Sequence, residues 1–159
     1  MNQPLKVSFN SPQSGFMSIG LKAGKASFVT AVAHSPYDSL RDLINALTDM
    51  LNGENSVTVK WNREPEEYDF ELRRNGNDAE FNIIRFPNHQ RQSKKREVVF
   101  SHKATVAHVC ESFWIALNEL QNDKDVDEFD KNWRREFPGD EMRELATKIR
   151  SIEQKPQQE

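Results

Sequence analysis

One cysteine, Cys110, stands in a chain of 159 residues. A lone thiol cannot form an internal disulfide, so the fold is expected to hold without covalent cross-links, and nothing points to an oxidising compartment. Long apolar runs are missing too. No stretch approaches the roughly 20 residues that a membrane-crossing helix needs. Met1 to Phe9 has no charged stretch followed by an apolar one, so no signal peptide is expected and a cytoplasmic location is. A basic excess is also lacking: 22 Lys and Arg face 25 Asp and Glu, for a net charge of −3 and a pI near 5.9. Nucleic-acid-binding domains are usually basic, so this balance argues against a general nucleic-acid binder.

Catalytic and metal-binding signatures are absent in the same way. The four histidines, His34, His89, His102 and His108, show no His-x-x-x-His spacing, and one cysteine cannot give Cys-x-x-Cys. The six glycines fall at turns and form neither a nucleophile elbow nor a phosphate loop. The sequence therefore leads to no catalytic residue, no metal site and no cofactor, and the chain is expected not to be an enzyme.

What the chain does have is a core and a charged shell. Hydrophobic residues make up 36% and charged residues 30%, with ten Phe and three Trp. The aromatics supply enough apolar surface for a packed interior at this length. Leu5, Val7 and Phe9 alternate with polar residues and are followed by a dense turn signal from Asn10 to Gly15. Phe16–Lys22 and Lys25–Ala33 then read as a hairpin around Ala23-Gly24. Ser35-Pro36 predicts a helix start, with Ser35 as the cap, and Leu40, Leu43, Ile44, Leu47, Met50 and Leu51 form its apolar face up to Gly53.

Val57, Val59 and Trp61 predict a strand. Tyr68, Phe70 and Leu72 predict another, with Glu67, Asp69 and Glu71 on the opposite, solvated face. Asn75-Gly76 is a strong two-residue hairpin signal. It predicts Arg74 opposite Asn77, Leu72 opposite Ala79, Phe70 opposite Phe81 and Tyr68 opposite Ile83. After a polar, basic loop, Glu97–Ser101 reads as a last strand. Thr105 to about Gln121 is helical, followed by a short helix with Phe129 and Trp133, a break at Phe137-Pro138-Gly139, and a final helix carrying Met142, Leu145, Ala146, Ile149 and Ile152. The expected fold class is α+β: a mostly antiparallel sheet of about six to seven strands with three to four helices packed on one face. Residues 1–152 are expected to form one domain and 153–159 a disordered tail.

Each candidate for chemistry has a structural reading. His108 and Cys110 lie about 200° apart around one helix, so the two cannot share an ion. Cys110 sits on an apolar helical face, which predicts an inert thiol. Two charged patches remain. The loop from Arg85 to Lys103 carries Arg91, Lys94, Lys95 and Arg96, and could contact phosphates or an acidic protein. The segment Glu119 to Glu141 carries Asp125, Asp127, Glu128, Asp130 and Asp140, and could meet a basic partner.

Ser35-Pro36-Tyr37-Asp38-Ser39-Leu40 opens a helix, Trp61 and Glu64-Pro65-x-x-Tyr68 lie on a hairpin, and Phe129-x-x-x-Trp133-x-x-x-Phe137-Pro138 follows near the end. Together these resemble small uncharacterised bacterial α+β proteins, some of them similar to the cytoplasmic immunity proteins of toxin systems. The resemblance implies an α+β fold and protein binding. It rests on structural residues, so it carries over no functional one. The expected function is a small protein-binding domain, in its most concrete form an immunity-type protein that neutralises a toxin through the acidic surface Asp125, Asp127, Glu128, Asp130 and Asp140. The alternative is a nucleic-acid-associated regulator using Arg91, Lys94, Lys95 and Arg96. An enzyme with a dispersed active site ranks third. No membrane association is expected, and nothing in the sequence specifies an oligomeric state.

Overall fold

A computed structural model describes residues 3–154. Seven strands, β1 (Lys6–Phe9), β2 (Phe16–Ala23), β3 (Ala26–Ala33), β4 (Ser56–Asn62), β5 (Glu67–Asn75), β6 (Asp78–Phe86) and β7 (Glu97–Thr105), form one antiparallel sheet in chain order. Helix α1 (Ser39–Leu51) interrupts them after β3, while α2 (Val106–Asn122), α3 (Phe129–Trp133) and α4 (Gly139–Gln154) follow β7. The α+β class and the antiparallel sheet are those the sequence patterns predict. No helix among the described residues is long and apolar enough to cross a membrane.

Alternation decides which strand face is covered. Met17, Ile19 and Leu21 of β2 are buried together with Val59 and Trp61 of β4, Phe70 and Leu72 of β5, and Phe81 and Ile83 of β6. The helices pack here. Phe113 of α2 lies 5.5 Å from Phe81, which lies 5.5 Å from Phe70, and Trp61 is 5.3 Å from Phe70. Offset and edge-on aromatic pairs of this kind add about 0.5–1.5 kcal/mol each beyond the area they bury.

The sheet is not evenly zipped. β2 and β3 pair over their full length, as do β4, β5 and β6, but β3 and β4 share only Ala33 opposite Asn62. Beyond that point the two halves fold over each other: β3 also lies against β7, and Phe28 rests edge-on against Tyr68 at 5.1 Å.

Four local readings differ from the sequence expectations. Helix α1 begins at Ser39 with Asp38 as its N-cap, not at Ser35-Pro36; the Ser35–Pro36 peptide is cis and lies in the preceding bend. The β5–β6 hairpin is slipped by two residues, with Asn75 opposite Asp78, Leu72 opposite Phe81 and Phe70 opposite Ile83. Its loop is Gly76-Asn77, in which Gly76 alone takes a positive φ of 66°, as a type II′ connection requires. Strand β7 continues past Ser101 to Thr105, whose hydroxyl then caps α2 by accepting from the His108 N–H at 3.0 Å. At the other end α4 runs through Gln154, two residues into the expected tail. Residues 155–159 lie outside the described part.

Gly53 closes α1 as its position predicts. Its φ is 106°, its N–H donates to Met50 O at 3.1 Å, and the Glu54 N–H donates to Asp49 O at 3.0 Å. These two bonds are the Schellman pair, which satisfies carbonyls that the helix end leaves open.

Candidate functional site

The largest departure from sequence expectation lies on the outer face of β5. Period-2 alternation does place Glu67, Asp69 and Glu71 opposite Phe70 and Leu72, but that face is not solvated at this end. Glu67 is 2% exposed. The loop after β6 folds back over it and inserts Arg91, whose backbone takes φ 50° to make the approach. The guanidinium Nε lies 3.2 Å from Glu67 Oε1, while Nη2 donates to Asp69 Oδ1. From above, the Arg91 guanidinium carbon sits 4.5 Å from the centre of the Phe86 ring. Tyr37, just ahead of α1, donates its phenol to Glu67 at 2.8 Å.

Burial and charge act together on this cluster. Desolvation pushes the Asp69 carboxyl above its ordinary value, only partly offset by the Arg91 charge. Tyr37 is also raised, first by burial and then by its bond to Glu67. Arg91 Nε and Nη1 are buried without an aligned acceptor, so Nε meets Glu67 as an ion pair and not as a directed hydrogen bond. Such an arrangement holds the loop down. Glu67 is buried beneath it, while the Asp69 and Glu71 side chains stay 13% and 17% exposed at the margin.

This geometry divides the predicted basic patch. Arg91 is turned inward and its side chain is only 16% exposed, while Lys94, Lys95 and Arg96 sit exposed on and beside a 3-10 turn at Ser93–Lys95. Three cations therefore remain available at that surface where the sequence suggested four.

The predicted acidic residues are also not equivalent. Asp130 Oδ1 accepts from the Phe137 N–H at 2.8 Å and so shapes the turn between α3 and α4. Asp127 accepts from the Ser11 hydroxyl and ties this segment to the loop between β1 and β2. Asp125 and Glu128 project outward, the first meeting Lys124 at 3.0 Å and the second meeting Lys131 at 3.7 Å. Asp140 starts α4 and pairs with Arg143 one turn along. Asp125, Asp127, Glu128 and Asp130 thus share one tight segment, whereas Asp140 lies on a separate helix.

Between them sits Val126, which the sequence reading passed over. It is 86% exposed, the most exposed of the large apolar side chains described. Its backbone is nevertheless fixed. The Asp127 N–H donates to Asp123 O at 2.9 Å and the Phe129 N–H to Lys124 O at 2.8 Å, and Glu128 adopts φ 51° between them. Phe129 and Trp133, each 1% exposed, root the segment in the core. The available signal was a lone valine inside an acidic run, with no periodicity to give it a buried face.

Cys110 is buried, donates weakly to Leu47 O at 3.9 Å, and has its thiol pushed up to about 12 by desolvation. His102 is lowered, first by burial and then by the charge of His108. Among the described residues no group of three or more His, Cys, Asp and Glu side chains is placed to hold a metal ion. No family model, no curated protein and no solved structure matches the chain.

Proposed function

We propose that this chain is a protein-binding domain that docks a basic partner through the acidic segment from Asp123 to Asp130, and that neutralisation of a basic toxin in the manner of an immunity protein is the most specific form of that activity. The observation that carries the reading is Val126, held 86% exposed between outward-pointing Asp125 and Glu128. An apolar knob inside a charged rim has the core-and-rim layout of a protein interface, where a buried centre supplies energy and a polar edge supplies selectivity. Burying a valine side chain contributes about 1.5–3 kcal/mol. Because the turn is already ordered by its own hydrogen bonds, little conformational freedom is lost on docking. Carboxylates around the knob attract a cationic surface over the encounter distance and raise the association rate more than the final affinity.

A photo-crosslinking side chain introduced at position 126 tests the reading in cells that express the protein. The expected result is a discrete protein adduct that the double substitution Asp125→Lys, Glu128→Lys abolishes while the fold is retained. No adduct at 126, together with an adduct from a probe at Lys94, would replace this surface with the basic one.

A further inference from the structure

Among the described residues, strand β1 is the first in the sheet order and pairs only with β2. The direction of its free backbone groups follows from two bonds. The Asn10 N–H donates to Ser18 O at 3.0 Å, so residues 6, 8 and 10 point their N–H and C=O groups toward β2. Leu5, Val7 and Phe9 therefore point theirs away from it. At Leu5 this is seen directly: its N–H donates outward at 3.0 Å to Nε2 of His108 on α2. No strand among the described residues pairs with Val7 or Phe9 on that side.

Beside this edge runs a cleft of about 540 Å³ between β1 and α2, with Leu5, Lys6 and Val7 on the strand side and His108, Glu111 and Ile115 among the residues on the helix side. Ile115 is 59% exposed although it sits on the helix that packs against β1. Ala107 and Ile115 thus continue the apolar side of the edge onto a helix face that also carries His108, Glu111 and Ser112. On the opposite side of the strand, Lys6 lies directly across from Lys22, with Lys25 in the next turn. Like charges placed opposite each other repel. None of the three has a carboxylate partner among the described residues.

We infer that the β1 edge takes a short extended segment of a partner protein as an eighth strand, with apolar residues on its α2 side alternating with acidic residues on its lysine side. Open main-chain donors and acceptors at Val7 and Phe9 supply the pairing, the cleft receives the apolar side chains, and Lys6 with Lys22 selects carboxylates. Ser11, just beyond β1, ties the Asp123–Asp130 segment to the loop that follows this edge, but the edge selects the opposite charge and is probed by its own peptide, so either surface can fail a test without the other.

An alternating valine–glutamate hexapeptide is the probe, with amide hydrogen exchange followed by NMR. Slowed exchange at Val7 and Phe9 in excess peptide is expected. Val7→Pro removes an outward N–H that the fold does not use, and proline is tolerated on such edges; it should keep the fold and lose the protection. A hexapeptide N-methylated along its pairing edge should also fail to protect, which gives the same readout if the proline variant is unstable. Lys6→Glu with Lys22→Glu should weaken the acidic peptide about three- to tenfold, since exposed charge contacts are individually weak. Unchanged exchange at Val7 and Phe9 in excess peptide overturns the inference. Equal protection by a valine–lysine hexapeptide overturns it as well, as does protection that rises with protein concentration alone, which would give the edge to a second copy of this chain.

Discussion

Arg91 holds a loop whose following residues, Gln92 to Arg96, are all exposed before β7 begins, so one guanidinium and two carboxylates supply the buried attachment of that stretch. Removing one partner of a buried ion pair leaves an uncompensated charge. Arg91→Ala is expected to cost about 3 kcal/mol in urea unfolding, whereas Lys94→Ala and Lys95→Ala should stay within about 0.5 kcal/mol. Asp69 adds a pH signature. Its folded-state value lies above 3.8 because of burial, so the folded protein holds that proton more tightly than the unfolded chain. The contribution is present while the group is protonated and is lost as the pH rises from 3.8 through the raised value. Asp69→Asn should remove that downward slope from a stability-versus-pH curve. His102 acts in the opposite sense. Its lowered value makes the neutral ring the favoured folded form, and the associated stability is lost as the pH falls below 6.5. Cys110, buried with its thiol near 12, should react with a disulfide reagent at neutral pH only on the timescale of unfolding.

Local signals located the elements well and their fine register poorly. The Schellman end of α1 was legible because Gly53 is the residue that a left-handed turn favours. A Cβ at Gly53 or at Gly76 would meet nothing within 4 Å, so the cost of Gly53→Ala and Gly76→Ala is conformational alone, about 1 kcal/mol each by thermal unfolding. The β5–β6 slip was not legible. Side chains alternate with a period of two, so a two-residue slip leaves Phe70, Leu72, Phe81 and Ile83 on the same face, and the apolar pattern cannot distinguish the registers. The covered carboxylates were missed for a related reason, since strand alternation reports which face a residue takes and not what lies above it. One signal was available. Ile83-Ile84-Arg85-Phe86 breaks alternation, and Ile84 and Phe86 pair with Asp69 and Glu67. Two apolar residues on the supposedly wet face mark a cover there.

Across the whole molecule, charge is segregated between an acidic turn from Asp123 to Asp130 and two basic regions, Lys94–Arg96 and the Lys6–Lys22 pair. The composition showed opposite charges in plenty, but their placement depends on tertiary structure: Arg91 turns inward, and the β1–β2 register sets Lys6 against Lys22. Partner capture through Val126 should fall with added salt, most steeply in its association rate, because steering acts over distances that ions screen. Capture that is unaffected between about 50 and 500 mM salt would contradict an electrostatic approach.

The single contact at Ala33 and Asn62 has a kinetic meaning. Within each half, strands pair with their chain neighbours through connections of two to ten residues, so hairpin closure carries modest loop entropy. Across the junction almost no ladder bonds are shared, and cohesion depends on side chains such as Phe28 against Tyr68. Under native conditions the amides of β1–β3 and those of β4–β7 should therefore exchange as two cooperative groups with different opening free energies. Phe28→Ala should widen the gap between them by lowering the protection of β1–β3 while leaving the β5–β6 ladder at its original rate.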